Sequence, residues 1–384
     1  MTRQPTGFTI TSTLNGWNKT DFDDVFVRKE LFTEGNLFAW GANVDGRLGI
    51  SSTINRSSPV QVGSDANWKQ TTSYSEFSFG IKNDGTLWGF GKNDIGQLGQ
   101  NDLINYSSPV QISGTWRSVS CGYQHAIGIK TDGTLWSWGR NQSGQLGTND
   151  VSYTYYLSPI QIGNEKTWHK IFSGNHFNFA TKTDGTLWAW GDNSSGQLGL
   201  SSNISYSSPI QFPSVGWKEI SCNGNFSAAI KTDGTLWAWG LNDTGQLGTN
   251  NTANRNSPVQ VGTETNWNNI FCVGSGSFGI KTDGTLWAWG LNDTGQLGIN
   301  NRTNRSSPVQ VGTETSWKYI KGRVYHTLAT KNDGTLWAWG NNLNGQLGIN
   351  NTIIRSSPVQ VSVATNWKSI SCSDYSSYGI VSYD

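Results

Sequence analysis

KTDGTLWAWG, residues 281–290, recurs in close copies along nearly the whole chain. Trp287 and Trp289 stand two residues apart, so in an extended strand they share one face while Leu286 and Ala288 share the other. Both faces are apolar, which predicts a strand buried on both sides. The Asp283-Gly284 pair before it reads as a tight hairpin turn with positive φ at both central positions. A hairpin is therefore expected to lead into each copy.

Aligned on their final glycine, the copies end at Gly41, Gly91, Gly139, Gly191, Gly240, Gly290 and Gly340, in steps of 50, 48, 52, 49, 50 and 50 residues. The unit that begins at Trp217 shows what lies between them. WKEISC and SAAIK read as two strands, LWAW as a third, and Ser257-Pro258 opens a fourth after the polar loop NDTGQLG and its extension. Proline at a strand start suits an edge, so the fourth strand is expected to be outermost. A period near 50 residues with four short strands per unit is the pattern of a propeller blade. Seven copies predict an all-β, seven-bladed β-propeller over residues 35–384.

Composition agrees with that fold class. Of 384 residues, 47 are Gly and only 14% are charged, with a net charge of +1. Such a balance favours turns and strands over helices, and gives neither nucleic acid nor an anionic membrane an electrostatic hold. There is no apolar run long enough for a spanning helix and no signal-peptide pattern at the start, so Met1 is expected to begin the mature chain.

The chain enters the pattern at residues 36–40, NLFAW, a third strand lacking its first two. It leaves at residues 367–383, a first and second strand lacking the rest. The last blade is therefore predicted to be shared by both termini, which closes the ring and removes free sheet edges.

The repeated pattern W, I, small, G, H, A, K, DG, W, WG, N, GQLG, SP resembles the regulator of chromosome condensation repeat, over about nine tenths of the chain. That resemblance implies a seven-bladed propeller. It leaves the activity open, because the family includes an exchange factor for the GTPase Ran, a plant ultraviolet-B photoreceptor and a β-lactamase inhibitory protein. The photoreceptor's GWRHT segment is missing here. No loop carries an insertion like the wedge of the exchange factor, and no basic tail supplies a chromatin contact.

The residues that suggest chemistry fall into repeat columns. Nineteen of the 20 Trp occupy the first strand or the third, Trp17 alone lying outside. They read as packing between blades, each burying roughly 150–250 Å², or about 4–6 kcal/mol as an upper bound. Cys121, Cys222, Cys272 and Cys372 share a column with Ser73, Ser173 and Gly322, a size limit on a first strand lining a crowded axis rather than metal or disulfide chemistry. His125 and His326 share theirs with Phe77, Phe177, Phe226, Gly276 and Ser376, and read as satisfied turn residues. Asp84, Asp132, Asp184, Asp233, Asp283 and Asp333 are hairpin-turn residues. Asn-X-Ser/Thr triplets at Asn242, Asn292 and Asn301 are attributed to composition. No catalytic residue, metal site or cofactor is expected.

One column breaks the symmetry in an orderly way. Three residues before each strand-opening Pro stand Arg56, Tyr106, Tyr156, Tyr206, Arg255, Arg305 and Arg355, so ring closure would set a cationic arc beside an aromatic arc on one rim. The bland reading is an Arg stacked on Trp and bonded to loop carbonyls. The sharper one is a partner-binding rim, extended by Tyr153, Tyr155 and Tyr156 on a loop two residues longer than its counterparts.

Residues 1–34 precede the first copy. DFDDVFVRKELF is too apolar and too mixed in charge for a spacer, and Phe22, Val25, Phe26 and Leu31 are expected to dock or anchor the chain, the alternative being an ordinary covering arm across the last blade. This leader running into GNLFAWG resembles propeller proteins of marine tailed bacteriophages, which implies a virion component for decoration, tail or host-surface attachment. Its partners would be other proteins of the assembly or a host-surface protein or glycan, without nucleic acid or membrane insertion, and its location the virion or otherwise the cytoplasm. The alternatives are an inhibitor or adaptor that caps a partner with one propeller face, and a glycan-binding propeller.

Overall fold

The computed structural model of the chain describes residues 35–214 and 216–382, without the side chains of residues 152–154. They form twenty-seven strands, with no helix among the described residues. In blade 4, the strands Trp217–Asn223, Phe226–Lys231, Leu236–Gly240 and Arg255–Gln260 lie antiparallel and side by side in that order. First strands of successive blades touch one another in a closed circle. The first strand is therefore innermost and the fourth outermost.

The seventh blade joins the two ends of the chain. Its order is Arg56–Gln61, Asn36–Gly41, Ser376–Val381, Trp367–Cys372, with Asn36 opposite Val381 and Gly41 opposite Ser376. Blades 1 and 2, counted from Trp68, depart from simple repetition. The strand Tyr106–Cys121 is both the fourth of blade 1 and the first of blade 2. Between Pro109 and Trp116 the linker is two residues shorter than between Pro258 and Trp267, which leaves no length for a bend.

Each residue of KTDGTLWAWG has a physical role. Lys281 Nζ sits 3.8 Å from the ring centre of Trp287 and 5.1 Å from that of Trp267, and pairs with Glu264 at 2.8 Å. Asp283 Oδ1 accepts from the Thr285 amide and hydroxyl, and that hydroxyl accepts from Trp287 Nε1 at 3.0 Å. The turn differs from the expected pair of positive φ values. Only Gly284 is left-handed, at φ 81°, and its amide closes on the Lys281 carbonyl at 2.9 Å. This is the geometry of a three-residue hairpin loop with a glycine bulge, so Asp283 serves as an acceptor and needs no strained backbone.

Leu286, Ala288 and Trp289 are buried, whereas Trp287 is half-buried as the lid over Lys281. Trp289 Nε1 donates to the Gln246 carbonyl of the preceding blade at 3.0 Å, and Ser277 Oγ donates to the same oxygen at 2.8 Å. The same indole-to-carbonyl bond recurs at Trp40, Trp138, Trp190, Trp239 and Trp339. Blade 1 has Phe90 in that column. There Tyr378 donates instead to the carbonyl of Arg47, the residue in the Gln column, at 2.7 Å.

Two columns differ from their sequence reading. His125 and His326 open second strands and are fully buried rather than lying in turns. Asn178 Nδ2 donates to the Gln145 carbonyl, which leaves its Oδ1 to accept from His125 Nε2 at 2.9 Å. His326 Nε2 lies 2.8 Å from Ser377 Oγ, so each imidazole ties its blade to the next. The four cysteines are free and buried. Their column packs against the neighbouring blade: Cys272 Sγ donates to the Ser221 carbonyl at 3.3 Å, and a Cβ at Gly322 would lie 2.4 Å from Val273. The expected size limit holds, set by blade contact rather than by the open axis.

Asn292 is buried too, its Oδ1 accepting from Leu297 N and its Nδ2 donating to the carbonyls of Asn301 and Thr303. Asn242 makes the equivalent bonds. Both amides organise the long loop from within and are closed to glycosylation.

The blades give the ring two unlike faces. On the turn face lie the Asp-Gly turns and blade-to-blade linkers. On the loop face lie the loops between first and second strands and the long loops between third and fourth.

Candidate interaction face

The long loop of each blade leaves the third strand at its terminal glycine and returns at the Arg and Tyr column. Gly240 lies opposite Arg255 and Gly191 opposite Tyr206, and every blade repeats this pairing. The column thus begins the outermost strand, at the loop-face end of the outer wall. Arg255, Arg305, Arg355 and Arg56 occupy blades 4 to 7 in succession, and Tyr106, Tyr156 and Tyr206 occupy blades 1 to 3.

The two arcs are held differently. Tyr106 donates to Asp102 at 2.6 Å and Tyr156 to Asp150 at 3.0 Å, bonds that raise both phenols above their ordinary pKa. For Tyr106 the bond to Asp102 is the main cause, and for Tyr156 burial comes first. Arg355 lines a groove between blades with Ser58 and Pro59, and Arg255 lines its equivalent with Ser307 and Pro308. Neither makes an ion pair among the described residues, where every salt bridge involves other side chains.

The longer connection in blade 2 becomes strand rather than loop. Ser152–Ile162 is continuous and Asn141 pairs with Ser152, so the two extra residues extend the hairpin and place Tyr153, Tyr155 and Tyr156 on it. Alternation along that strand separates Tyr155, which is 41% exposed, from half-buried Tyr156. The side chain of Tyr153 and the segment with Phe22, Val25, Phe26 and Leu31 lie outside the described residues.

The most distinctive surface is one that the repeat columns did not single out. Exposed aliphatic residues follow the long loops of five successive blades: Leu343 and Ile353, Val44 and Ile54, Leu103 and Ile104, Val151, then Ile204. Val44 is 70% exposed and Leu343 66%. In blades 4 and 5 the same positions hold Asp243 and Ala253, Asp293 and Thr303. The signal was present in the sequence, two residues before the Arg and Tyr column, as isoleucines inside otherwise polar loops.

Nearer the axis, the shorter loops of different blades meet. Tyr123 stands edge-on to His176, and Tyr325 stacks on Tyr375 at 5.3 Å. Burial, with the hydroxyl contact from Tyr325 second, pushes Tyr375 up to about 12. At the centre the Arg323 guanidinium lies 3.4 Å from the Tyr74 ring centre, pairs with Asp374 at 3.0 Å and donates to Asn223 Oδ1 at 2.8 Å. The Tyr74 hydroxyl donates to Asn175 Oδ1 at 2.5 Å, and burial raises its pKa. Side chains from blades 1, 3, 4, 6 and 7 thus cross the axis and close its loop-face end. Among the described residues no cluster of His, Cys, Asp or Glu could hold a metal ion, and no helix is long and apolar enough to cross a membrane.

Comparison with known proteins agrees with this architecture. Residues 30–269 match the RCC1-like domain, and residues 283–330 and 333–380 match the Regulator of chromosome condensation (RCC1) repeat. No curated protein sequence matches the chain. Human WBSCR16 superposes with a TM-score of 0.81 at 22% identity, covering 91% of this chain and 99% of that one. Yeast RCC1 (Prp20), solved with Kap60 bound to it, superposes with a TM-score of 0.84 at 17% identity, covering 100% of this chain and 97% of that one. Prp20p from Saccharomyces cerevisiae, described with its binding properties to Gsp1p and histones, gives 0.82 at 18% identity, covering 96% of each chain. At these identities the likeness is one of fold. With the blade pattern, the shared seventh blade and a family match over residues 30–269, the chain belongs to the RCC1-like domain family.

Proposed function

We propose that this chain is a non-enzymatic binding scaffold that takes a protein partner on its loop face. The observation that carries this reading is the arc of exposed aliphatic side chains from Leu343 round to Ile204. Exposed aliphatic side chains repeated from blade to blade among polar loop residues favour an interaction site. The Arg arc of blades 4 to 7 and the Tyr arc of blades 1 to 3 would orient the partner at the periphery, since both residue types are enriched at interface hot spots. Protein binding by the propeller Prp20 supports the class of function.

Within that class, the finer reading is a virion structural protein carried by residues 1–34. It rests on FDDVFVRKELF running into GNLFAWG and on blades so nearly alike that few site-specific demands act on them. On this reading the partner is another protein of the particle or a host-surface molecule.

A photo-crosslinking amino acid at Leu343 or Ile104, compared with one at Val363 on the turn face, tests the choice of face. In native extracts the loop-face positions should crosslink to one protein, identified by mass spectrometry. Equal crosslinking from Val363 overturns the assignment. A glycan array separates a lectin from a protein binder, and purified virions that lack the chain rule out the finer reading.

A further inference from the structure

The turn face has its own asymmetry, in charge rather than in apolar surface. The residue after each first-strand Trp lies where the innermost strand begins, at the turn-face mouth of the central channel. Five of the seven are cations: Lys69, Arg117, Lys218, Lys318 and Lys368. Bonds between adjacent blades tie this column together at two of the junctions. Arg117 donates to the main-chain carbonyls of Trp168 and His169 in the next blade, and Lys218 Nζ donates to Asn268 Oδ1 of the next at 3.1 Å.

Further in, Glu219 Oε2 accepts from Asn269 Nδ2 of the adjacent blade at 3.0 Å, and Lys170 occupies the same column. Two residues deeper, Lys321 is exposed although it belongs to an innermost strand, so solvent reaches the wall there. The far end is closed by the Tyr74, Asn175, Asn223, Arg323 and Asp374 cluster, in which the one cation is paired with the one anion. The channel is thus a blind funnel. Among the described residues its mouth and wall carry seven cations and the carboxylate of Glu219, in a chain whose net charge is only +1.

We infer that this funnel receives an acidic peptide segment, entering from the turn face. A cleft lined by one sign of charge between low-dielectric walls focuses the field and draws in the opposite charge. The wall between the cations carries the half-buried Ser120 and Ser221, whose hydroxyls can donate to carboxylates. Its aromatic residues are engaged in packing rather than held open for bases: Phe271 is buried, with Tyr319 edge-on to it at 5.3 Å, and Phe172 packs against the core its blade shares with the next. The blind end admits a chain end or a bent strand and stops a duplex from passing through.

Fluorescence anisotropy of a fluorescein-labelled oligoglutamate with the full chain tests this. Saturable binding is expected at about 20 mM salt, weakening as salt screens the mouth. Lys321→Glu, and Lys318→Glu with Lys368→Glu, should each weaken binding on the order of tenfold or more. Lys321→Arg should retain binding, and Arg56→Glu on the opposite face should leave it unchanged. Absence of binding to the wild-type chain, or charge-reversed variants that bind as it does while keeping its melting temperature, overturns the inference. A labelled single-stranded oligonucleotide or inorganic polyphosphate binding tighter than the peptide overturns the choice of ligand.

Discussion

Trp40 Nε1 donates to the main-chain carbonyl of Gln346 at 2.9 Å, a bond between residues 306 apart in sequence that joins the blade containing both termini to the blade before it. Ser377 Oγ donates to the same oxygen at 2.8 Å. Trp40→Phe removes one donor of two and should cost about 1–2 kcal/mol in denaturant unfolding. Combined with Ser377→Ala it leaves a buried carbonyl with no donor. The double variant is then expected to lose more than the sum of the single losses, as a double-mutant cycle would read.

Removal of residues 367–384 takes away two strands of the seventh blade and leaves Asn36–Gly41 without its partner Ser376–Val381. Unfolding should lose its cooperativity, with a large fall in melting temperature. A truncated chain that melts like the intact one would contradict the shared blade.

The buried histidines predict an acid-side loss of stability. Burial lowers His125 to about 4 and His326 to about 3, against 6.5 for a free imidazole. With the folded pKa depressed, the unfolded chain binds the proton first. Stability is therefore full above about pH 6.5 and falls by about 1.4 kcal/mol per pH unit for each histidine as pH drops from 6.5 towards 4. His326→Phe, a residue its column already accepts at Phe77, Phe177 and Phe226, should flatten this dependence by one histidine's share in chemical denaturation at a series of pH values.

Asn292→Ala deletes an acceptor for Leu297 N and donors to two loop carbonyls inside the fold. A loss of about 2–4 kcal/mol is expected, since several buried groups lose partners together. Hydrogen exchange should show faster exchange confined to the blade 5 long loop. Uniformly faster exchange would mean instead that the residue holds the whole ring.

Substitution of Ile54, Ile104 and Ile204 by Asp changes only exposed loop residues. Stability should stay within about 0.5 kcal/mol per site, while crosslinking to the loop-face partner is lost. The triple change of Tyr153, Tyr155 and Tyr156 to Ser should also weaken partner binding. It carries a small stability cost through the lost bond from Tyr156 to Asp150.

The blade was legible in sequence because its determinants are local. Strand alternation, the Asp-Gly turn and the period are set by neighbours a few residues apart, and the out-of-phase ends at Asn36 and Trp367 announced the shared blade. The Asp-Gly pair specifies a tight hairpin but not its backbone, because the same dipeptide serves two hairpin geometries that differ in loop length. The burial of the histidines is not legible in sequence, because a column that also holds Phe, Gly and Ser suggests loose demands. Phe and neutral His in fact meet one demand, to fill a buried space, and His adds a bond to the next blade.

Local pattern sets the unit and its number: a four-stranded blade repeated seven times, with Trp as packing and the Arg and Tyr column as the orderly break in symmetry. Which residues share a surface depends on the closed ring. Tyr74, Asn175, Asn223, Arg323 and Asp374 come from five blades and meet on the axis. Leu343 and Val44 become neighbours in blade order only once the ring closes. Such groupings leave no periodic trace, because they depend on closure, which brings together residues some 300 positions apart. KTDGTLWAWG builds the ring, but the faces that could recognise a partner exist only after the ring is shut.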